Sequence, residues 1–332
     1  MRKKILIGFA CLLSFFMIGC GKYGEDDVIK DLTKKINNAK GYYLDGEMEI
    51  INNEESYKYN VEVSYAKDDN FKVSLKNQTN NHEQIILRNS DGVYVLTPSL
   101  NKSFKFQSDW PYNNSQSYLL QVLLSDIESD KERVFTETDD GYSIISKVNY
   151  SNNRSLIKQI IYIDKNINIT KVEVLDENDV VKIRMTFKNT DLNATFDAEH
   201  FKLEKCMESA DVEDKSEPVV SIDEIIFPMY IPANTYLSGQ EKVDVTSGER
   251  IILTFDGDKP FVLVQETVNY GNDSVIPTFG EPIFITDTIG AISEHAVSWV
   301  SNGIEYYVSS SALSKEELLE VANSLSVMPV GK

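Results

Sequence analysis

The chain predicts a mainly β protein with α-helical cover: a half-open antiparallel β-barrel with a helical lid, followed by a smaller α+β C-terminal domain. Three observations predict it. Residues 26–205 read as a helix, six strands, a second helix and then about five strands, an order that suits one long antiparallel sheet that curls without closing. Phe71–Trp110 holds four short apolar segments in succession, and a meander of that kind cannot bury its apolar face unless something is laid across it. Residues 206–221 are acidic, poor in aromatics and carry Pro218, as a solvated linker does, which leaves residues 222–332 as a second domain. A chain of 332 residues is long enough for two cores.

The first residues stand apart from the rest. Met1-Arg2-Lys3-Lys4 is basic and Ile5 to Ile18 is almost unbroken in its apolar character, yet too short for a comfortable membrane span. Met17-Ile18-Gly19-Cys20 resembles a bacterial lipobox, with Met17 where Leu is usual. On that reading residues 1–19 are a lipoprotein signal peptide, Cys20 carries the lipid, and residues 20–25 are a tether. The protein then sits lipid-anchored on the extracytoplasmic face of the cell membrane, since two or more hydrocarbon chains give stable attachment. The plainer alternative is an ordinary signal peptide with a chance cysteine, or an uncleaved anchor.

Asp26–Lys40 follows as an amphipathic helix, with Val28, Ile29, Leu32, Ile36 and Ala39 on one stripe and acids in its first turn. Tyr42–Ile51 and Tyr57–Tyr65 alternate as strands, and Tyr57, Tyr59, Val61, Val63 and Tyr65 all fall on one face. The meander supplies Phe71–Leu75, Glu83–Arg88, Gly92–Leu96 and Ser103–Gln107, with Asn89-Ser90-Asp91-Gly92 as its sharpest turn. Ser115–Ile127 is expected to be helical, its apolar face formed by Tyr118, Leu119, Val122 and Leu123. Strands resume at Arg133–Thr138, Tyr142–Val148, Leu156–Asp164, Ile169–Leu175 and Val180–Asn189.

In the second domain, Phe227–Pro232 is extended because each proline biases its predecessor away from helix. Strands are expected at Gln240–Val245, Arg250–Phe255 and Phe261–Val268. Trp299–Tyr306 reads as a hairpin around Asn302-Gly303, and Ser314-Lys315-Glu316-Glu317 as a capping box that opens the last helix.

Charge and motifs exclude several functions. A formal net charge of −19 repels phosphate backbones, so the chain is no nucleic-acid binder. Of three cysteines, Cys11 lies in the signal and Cys20 at its end, and the one remaining thiol, Cys206, makes no internal disulfide and no zinc site. His82, His200 and His295 are far apart and in no ligand spacing, and no GxSxG, SxxK, HExxH or phosphate-binding loop is present. The reading is therefore non-enzymatic, with no metal and no cofactor.

The strand order, and the element around Asn89–Phe106 with its SDG, NK and FKF segments, resemble the lipoprotein-carrier superfamily of the LolA/LolB type. Asn, Lys, Ile and Tyr usage suggests a low-GC Gram-positive source, which brings GerS-like germination lipoproteins of spore formers nearest, while a carrier-like domain followed by a smaller one resembles the layout of RseB-like regulators. The resemblance covers about Asp26 to Lys205. It implies an incomplete barrel with a helical lid over an apolar cavity that takes acyl chains. Tyr59, Val61, Phe71, Tyr94, Phe104, Phe106 and Trp110 are the expected cavity lining, and Tyr118, Leu119, Val122 and Leu123 the expected lid; core packing is the alternative for each. Two functions stay open: binding of a lipid or acyl chain in that cavity, or an envelope scaffold or regulator of sporulation or germination that docks a protein partner such as a cell-wall amidase.

Overall fold

A computed structural model describes residues 23–52, 55–208, 221–245, 248–268 and 275–327. The expected signal peptide, Cys20 and most of the acidic linker lie outside the described residues. Helix α1 (Glu25–Asn38) leads into β1 (Gly41–Asn52), β2 (Glu55–Ala66), β3 (Asn70–Asn77), β4 (Glu83–Asn89), β5 (Gly92–Thr97) and β6 (Lys102–Phe106). Helix α2 (Leu120–Ser129) then precedes β7 (Val134–Thr138), β8 (Gly141–Lys147), β9 (Leu156–Asp164), β10 (Ile169–Asp176) and β11 (Val181–Asp191), and a short α3 (Leu203–Met207) ends this part. Six strands, a helix and five strands is the expected order.

The eleven strands form one open sheet in the order β6-β5-β4-β3-β2-β1-β11-β10-β9-β8-β7, with β1 at the centre between β2 and β11. Alternation sets its faces. Tyr42, Leu44 and Met48 of β1, Tyr59, Val61 and Val63 of β2, and Phe71, Val73 and Leu75 of β3 are buried on the concave side. Their neighbours in sequence stand on the convex side, where Arg184 meets Glu49 at 2.8 Å and Glu173 at 3.1 Å across β11, β1 and β10. Helices α1 and α2 pack together on the concave side, inserting Val28, Leu32, Ile36, Leu123 and Ile127 into the same core.

The second domain is built on β13 (Thr235–Val245), β14 (Gly248–Gly257), β15 (Phe261–Thr267), β17 (Glu281–Ile285), β18 (Thr288–Ile292), β19 (Ala296–Ser301) and β20 (Ile304–Ser309). They form a seven-stranded antiparallel sheet ordered β13-β14-β15-β20-β19-β18-β17. Helix α4 (Lys315–Asn323) packs on it through Leu318, Val321 and Ala322. Its N-cap is as expected: the Ser314 hydroxyl accepts from Glu317 N, and Glu317 reaches back to Ser314 N. Asn302 and Gly303, with φ of 50° and 76°, make the β19–β20 turn that needs two positive angles. Strands β12 (Ile226–Pro228) and β21 (Leu325–Val327) pair with each other beside α4.

One strand crosses the expected division. β16 (Val275–Thr278) belongs by sequence to the second domain but pairs in parallel with β6, becoming the twelfth strand of the first sheet. Cys206, expected as the start of the linker, is instead fully buried. It packs with Ile85, Leu87, Leu96 and Phe201, where α3 covers the convex face of β4 and β5.

Candidate functional site: the interdomain cavity

The concave face of the first sheet is covered from two directions. Over β7 to β11 the cover is α1 and α2. Over β3 to β6 it is β17 and β18 of the second domain. All five residues of β18 are buried, because the strand lies between two cores: Ile289 and Ala291 join the first, Ile292 the second. The junction is held by Gln84, which projects from β4 into it. Its carbonyl oxygen accepts from Ile289 N (2.6 Å) and Thr288 Oγ1 (3.0 Å), and its amide donates to Ile289 O (3.2 Å) and Thr97 Oγ1 (3.3 Å). Ser108 and Asn113 both donate to the Glu281 carboxylate at the end of β17. The Tyr59 and Phe284 rings meet across the same boundary at 5.8 Å.

Where the two covers do not meet, they leave a cavity of about 760 Å³. Its first wall is the concave sheet: Met48, Ile50, Tyr57, Ile86 and Ile183. Its second is the segment before α2 with the β8–β9 connection: Trp110, Tyr118, Tyr150 and Leu156. Its third belongs to the second domain: Ile283, Phe284 and Ile289 from β17 and β18, Leu319 from α4, and Tyr230. The size and the apolar walls are those of a small-molecule site at a domain boundary. Burial pushes the Tyr118 and Tyr150 hydroxyls well above the usual phenol range, so both are neutral donors at any physiological pH. Tyr230 is pushed up too, first by desolvation and then by its bond to the Glu320 carboxylate.

The expected lining residues divide four ways. Trp110 lines the cavity. Phe104 and Phe106 line a separate crevice of about 20 Å³ beneath β18, which is no more than a packing gap. Tyr59, Val61 and Phe71 are buried in the core between sheet and covers. Tyr94 is a correction: it stands on the convex face with Leu96, under α3, and Lys105 Nζ lies 5.4 Å from its ring centre. Val93 and Val95 hold the concave positions on either side of it.

The expected lid is also corrected. The helix begins at Leu120 rather than Ser115, because the residues before it bond to the β8–β9 connection instead of to a first helical turn. Ser115 N donates to Asn149 O (2.9 Å), Asn149 N to Ser115 Oγ (2.8 Å) and Ser151 N to Asn114 Oδ1 (3.0 Å). Leu119, Val122 and Leu123 are packed into the core, and only Tyr118 of the four faces the cavity. The helix is tied to its surroundings through Tyr42 Oη donating to Gln121 (2.7 Å) and Gln159 donating to Asp126 (3.0 Å). It is part of the filling of the sheet.

Ile50, Tyr57 and Ile183 were legible as concave-face positions from their alternation with charged neighbours. Phe284, Leu319 and Tyr230 carried no signal at all, since nothing local says that the second domain folds back over the first. The three histidines are dispersed, on the β3–β4 turn, the convex face and the β18–β19 turn. Among the described residues no group of His, Cys, Asp or Glu is placed to hold a metal ion, and no helix is long and apolar enough to cross a membrane.

A family model of YdcC-like sporulation proteins matches residues 2–201. The sporulation protein YdcC of Bacillus subtilis is 35% identical over 329 residues, covering 98% of this chain and 97% of its own. Among solved structures, a chain of the Pseudomonas aeruginosa MucA/MucB complex is 13% identical, over 91% of this chain and 99% of its own, with a TM-score of 0.33. A chain of the Clostridioides difficile complex of the CwlD amidase with the GerS lipoprotein is 19% identical, over 52% of this chain and 98% of its own, with a TM-score of 0.31.

Proposed function

The chain belongs to the YdcC-like sporulation protein family, and we propose that within it the protein is a non-enzymatic, envelope-located binder of an acyl-bearing amphiphile. The observation that carries this is the cavity of about 760 Å³ between the two domains, walled by apolar side chains from both. An acyl chain entering it gains about 0.8 kcal/mol for each methylene removed from water. Because both domains supply walls, occupancy also bridges them, which lets one protein couple a lipid signal to the arrangement of its domains. Lipidation at Cys20 would hold the cavity close to the extracytoplasmic membrane surface from which such a ligand comes.

The test is displacement of a fluorescent fatty acid from the full chain in detergent. Ile183→Trp should narrow the cavity and weaken probe binding while the circular dichroism spectrum stays native. Probe binding by this variant equal to that of the unaltered chain, or none by the unaltered chain, overturns the reading. For the anchor, Cys20→Ala should move the protein from the membrane to the soluble fraction; persistence in carbonate-washed membranes overturns it.

A second reading, docking of a protein partner, is favoured by the free edge of the seven-stranded sheet. Among the described residues strand β13 pairs only with β14, and Tyr236 (61% exposed), Leu237 and Val243 lie uncovered along it. Tyr236→Glu should impair sporulation without changing probe binding if a partner adds to this edge; an unaffected spore yield argues against it.

A further inference from the structure

The geometry points to a neutral, polyhydroxylated head group, that of a glycosyl diacylglycerol, on the amphiphile that the interdomain cavity takes. This deepens the cavity reading above and rests on it.

The apolar walls account for the chains of such a ligand, and the polar residues of the cavity select its head. Besides the tyrosine hydroxyls they are amides, serine and threonine hydroxyls, Lys182 and two carboxylates. The amides are oriented by bonds to backbone: Asn114 Oδ1 accepts from Ser151 N (3.0 Å) and Asn323 Oδ1 accepts from Thr286 N (2.9 Å). With both oxygens engaged, the NH2 groups remain as donors toward a ligand, and among the described residues neither has a protein acceptor. Gln116 and Asn152 line the same cavity and add further amides.

The carboxylates are Glu316 and Glu320, one turn apart on α4. Glu316 has Arg154 at 3.7 Å, but that guanidinium is 83% exposed and weakly held. Among the described residues the one lysine or arginine lining the cavity is Lys182, and its ammonium lies 3.6 Å from Asp176. An anionic head, phosphoglycerol for instance, would therefore enter beside two carboxylates, with the nearby cations Lys182 and Arg154 already partnered, in a chain of net charge −19. A phosphate could accept from the amides and would bring no donor to either carboxylate. Sugar hydroxyls both donate and accept, so one hexose ring satisfies the amide donors and the carboxylate acceptors together.

The test offers the full chain in detergent an equimolar pair of lipids with identical oleoyl chains, monoglucosyl-dioleoylglycerol and dioleoylphosphatidylglycerol, read by native mass spectrometry. The glucosyl lipid should be bound about tenfold more, as the loss of one charge-assisted hydrogen bond implies. In Glu316→Gln/Glu320→Gln the ratio of glucosyl lipid to phosphatidylglycerol bound should fall several-fold. Equal binding of the two lipids by the unaltered chain, or preference for phosphatidylglycerol, overturns the head-group inference and leaves the cavity reading standing. Binding of neither overturns both. An unchanged preference in the double variant removes the carboxylates from the selection and overturns the inference as well.

Discussion

The two covers of the concave sheet solve the same physical problem with different material. Over β7 to β11 the cover is helical and comes from the same domain: α2 lies next in sequence to β7, α1 reaches across from before β1, and both fill the space with aliphatic side chains. Val28, Leu119, Leu123 and Ile127 are all completely buried there. Over β3 to β6 the cover comes from some 200 residues further on, and it meets the sheet through the amide of Gln84 and the carboxylate of Glu281 as well as through Ile289 and Ala291. A cover made of helices can adjust each side chain to the sheet below. A cover that is itself a sheet must satisfy its own strand pairing first, so it fits less closely and the remaining space becomes the cavity.

The largest expected effect tests the helical cover. Leu123→Ala should cost about 3 kcal/mol of unfolding free energy in urea, as large-to-small changes at fully buried sites do. A loss under 1 kcal/mol would show that the helix rides over the sheet instead of filling it. Next comes the sheet cover. Gln84→Ala leaves the Ile289 N–H and C=O buried without partners, at about 2 kcal/mol. Amide exchange should quicken at residues 288–291 and stay unchanged in α1 and α2; uniform quickening would mean that the two covers are one cooperative unit.

Asp126 of α2 sharpens the comparison from the electrostatic side. Burial pushes its carboxyl up to about 6, against bonds from Ser115 and Gln159 that favour the charged form. Because the folded value lies above the unfolded one near 4, the folded chain binds the proton more tightly. Stability should therefore fall as pH rises from about 4 to about 6. Asp126→Asn should abolish that slope and raise stability at pH 7 by about 2 kcal/mol. A slope that survives the substitution places the titrating group elsewhere. The smallest effect is outside both covers. Arg184→Ala removes a solvent-face ion network and should cost about 0.5 kcal/mol, vanishing in 1 M salt.

Much of the architecture was legible before any coordinates. The alternation of Tyr57 through Tyr65 against Lys58, Asn60 and Glu62 put one face of β2 inside, and the structure has it so. The Asn302-Gly303 turn and the Ser314 cap were read from chemistry that acts over four residues, and both formed. Tyr94 was placed on the wrong face for a definable reason. Val93, Tyr94, Val95 and Leu96 are all buried, since α3 covers the convex side just there, and a strand buried on both faces has no alternation to read. β18 hid for the same reason: Thr-Ile-Gly-Ala-Ile is buried throughout.

The chain by itself determined most strands and both long helices of the first domain, the hairpin and the capped helix of the second, and the side of each half-exposed strand that turns inward, because these follow from periods of two and 3.6 residues and from caps and turns. Tertiary structure alone decided that β16 joins the first sheet, that β18 is shared between two cores, and that the space left over is walled from both domains. Those contacts join residues some 170 to 200 positions apart, and they are selected by the fit of surfaces that exist only once each sheet has formed. The central meander needed cover, as its sequence said; what covers it, and where the cover stops, belonged to the folded molecule.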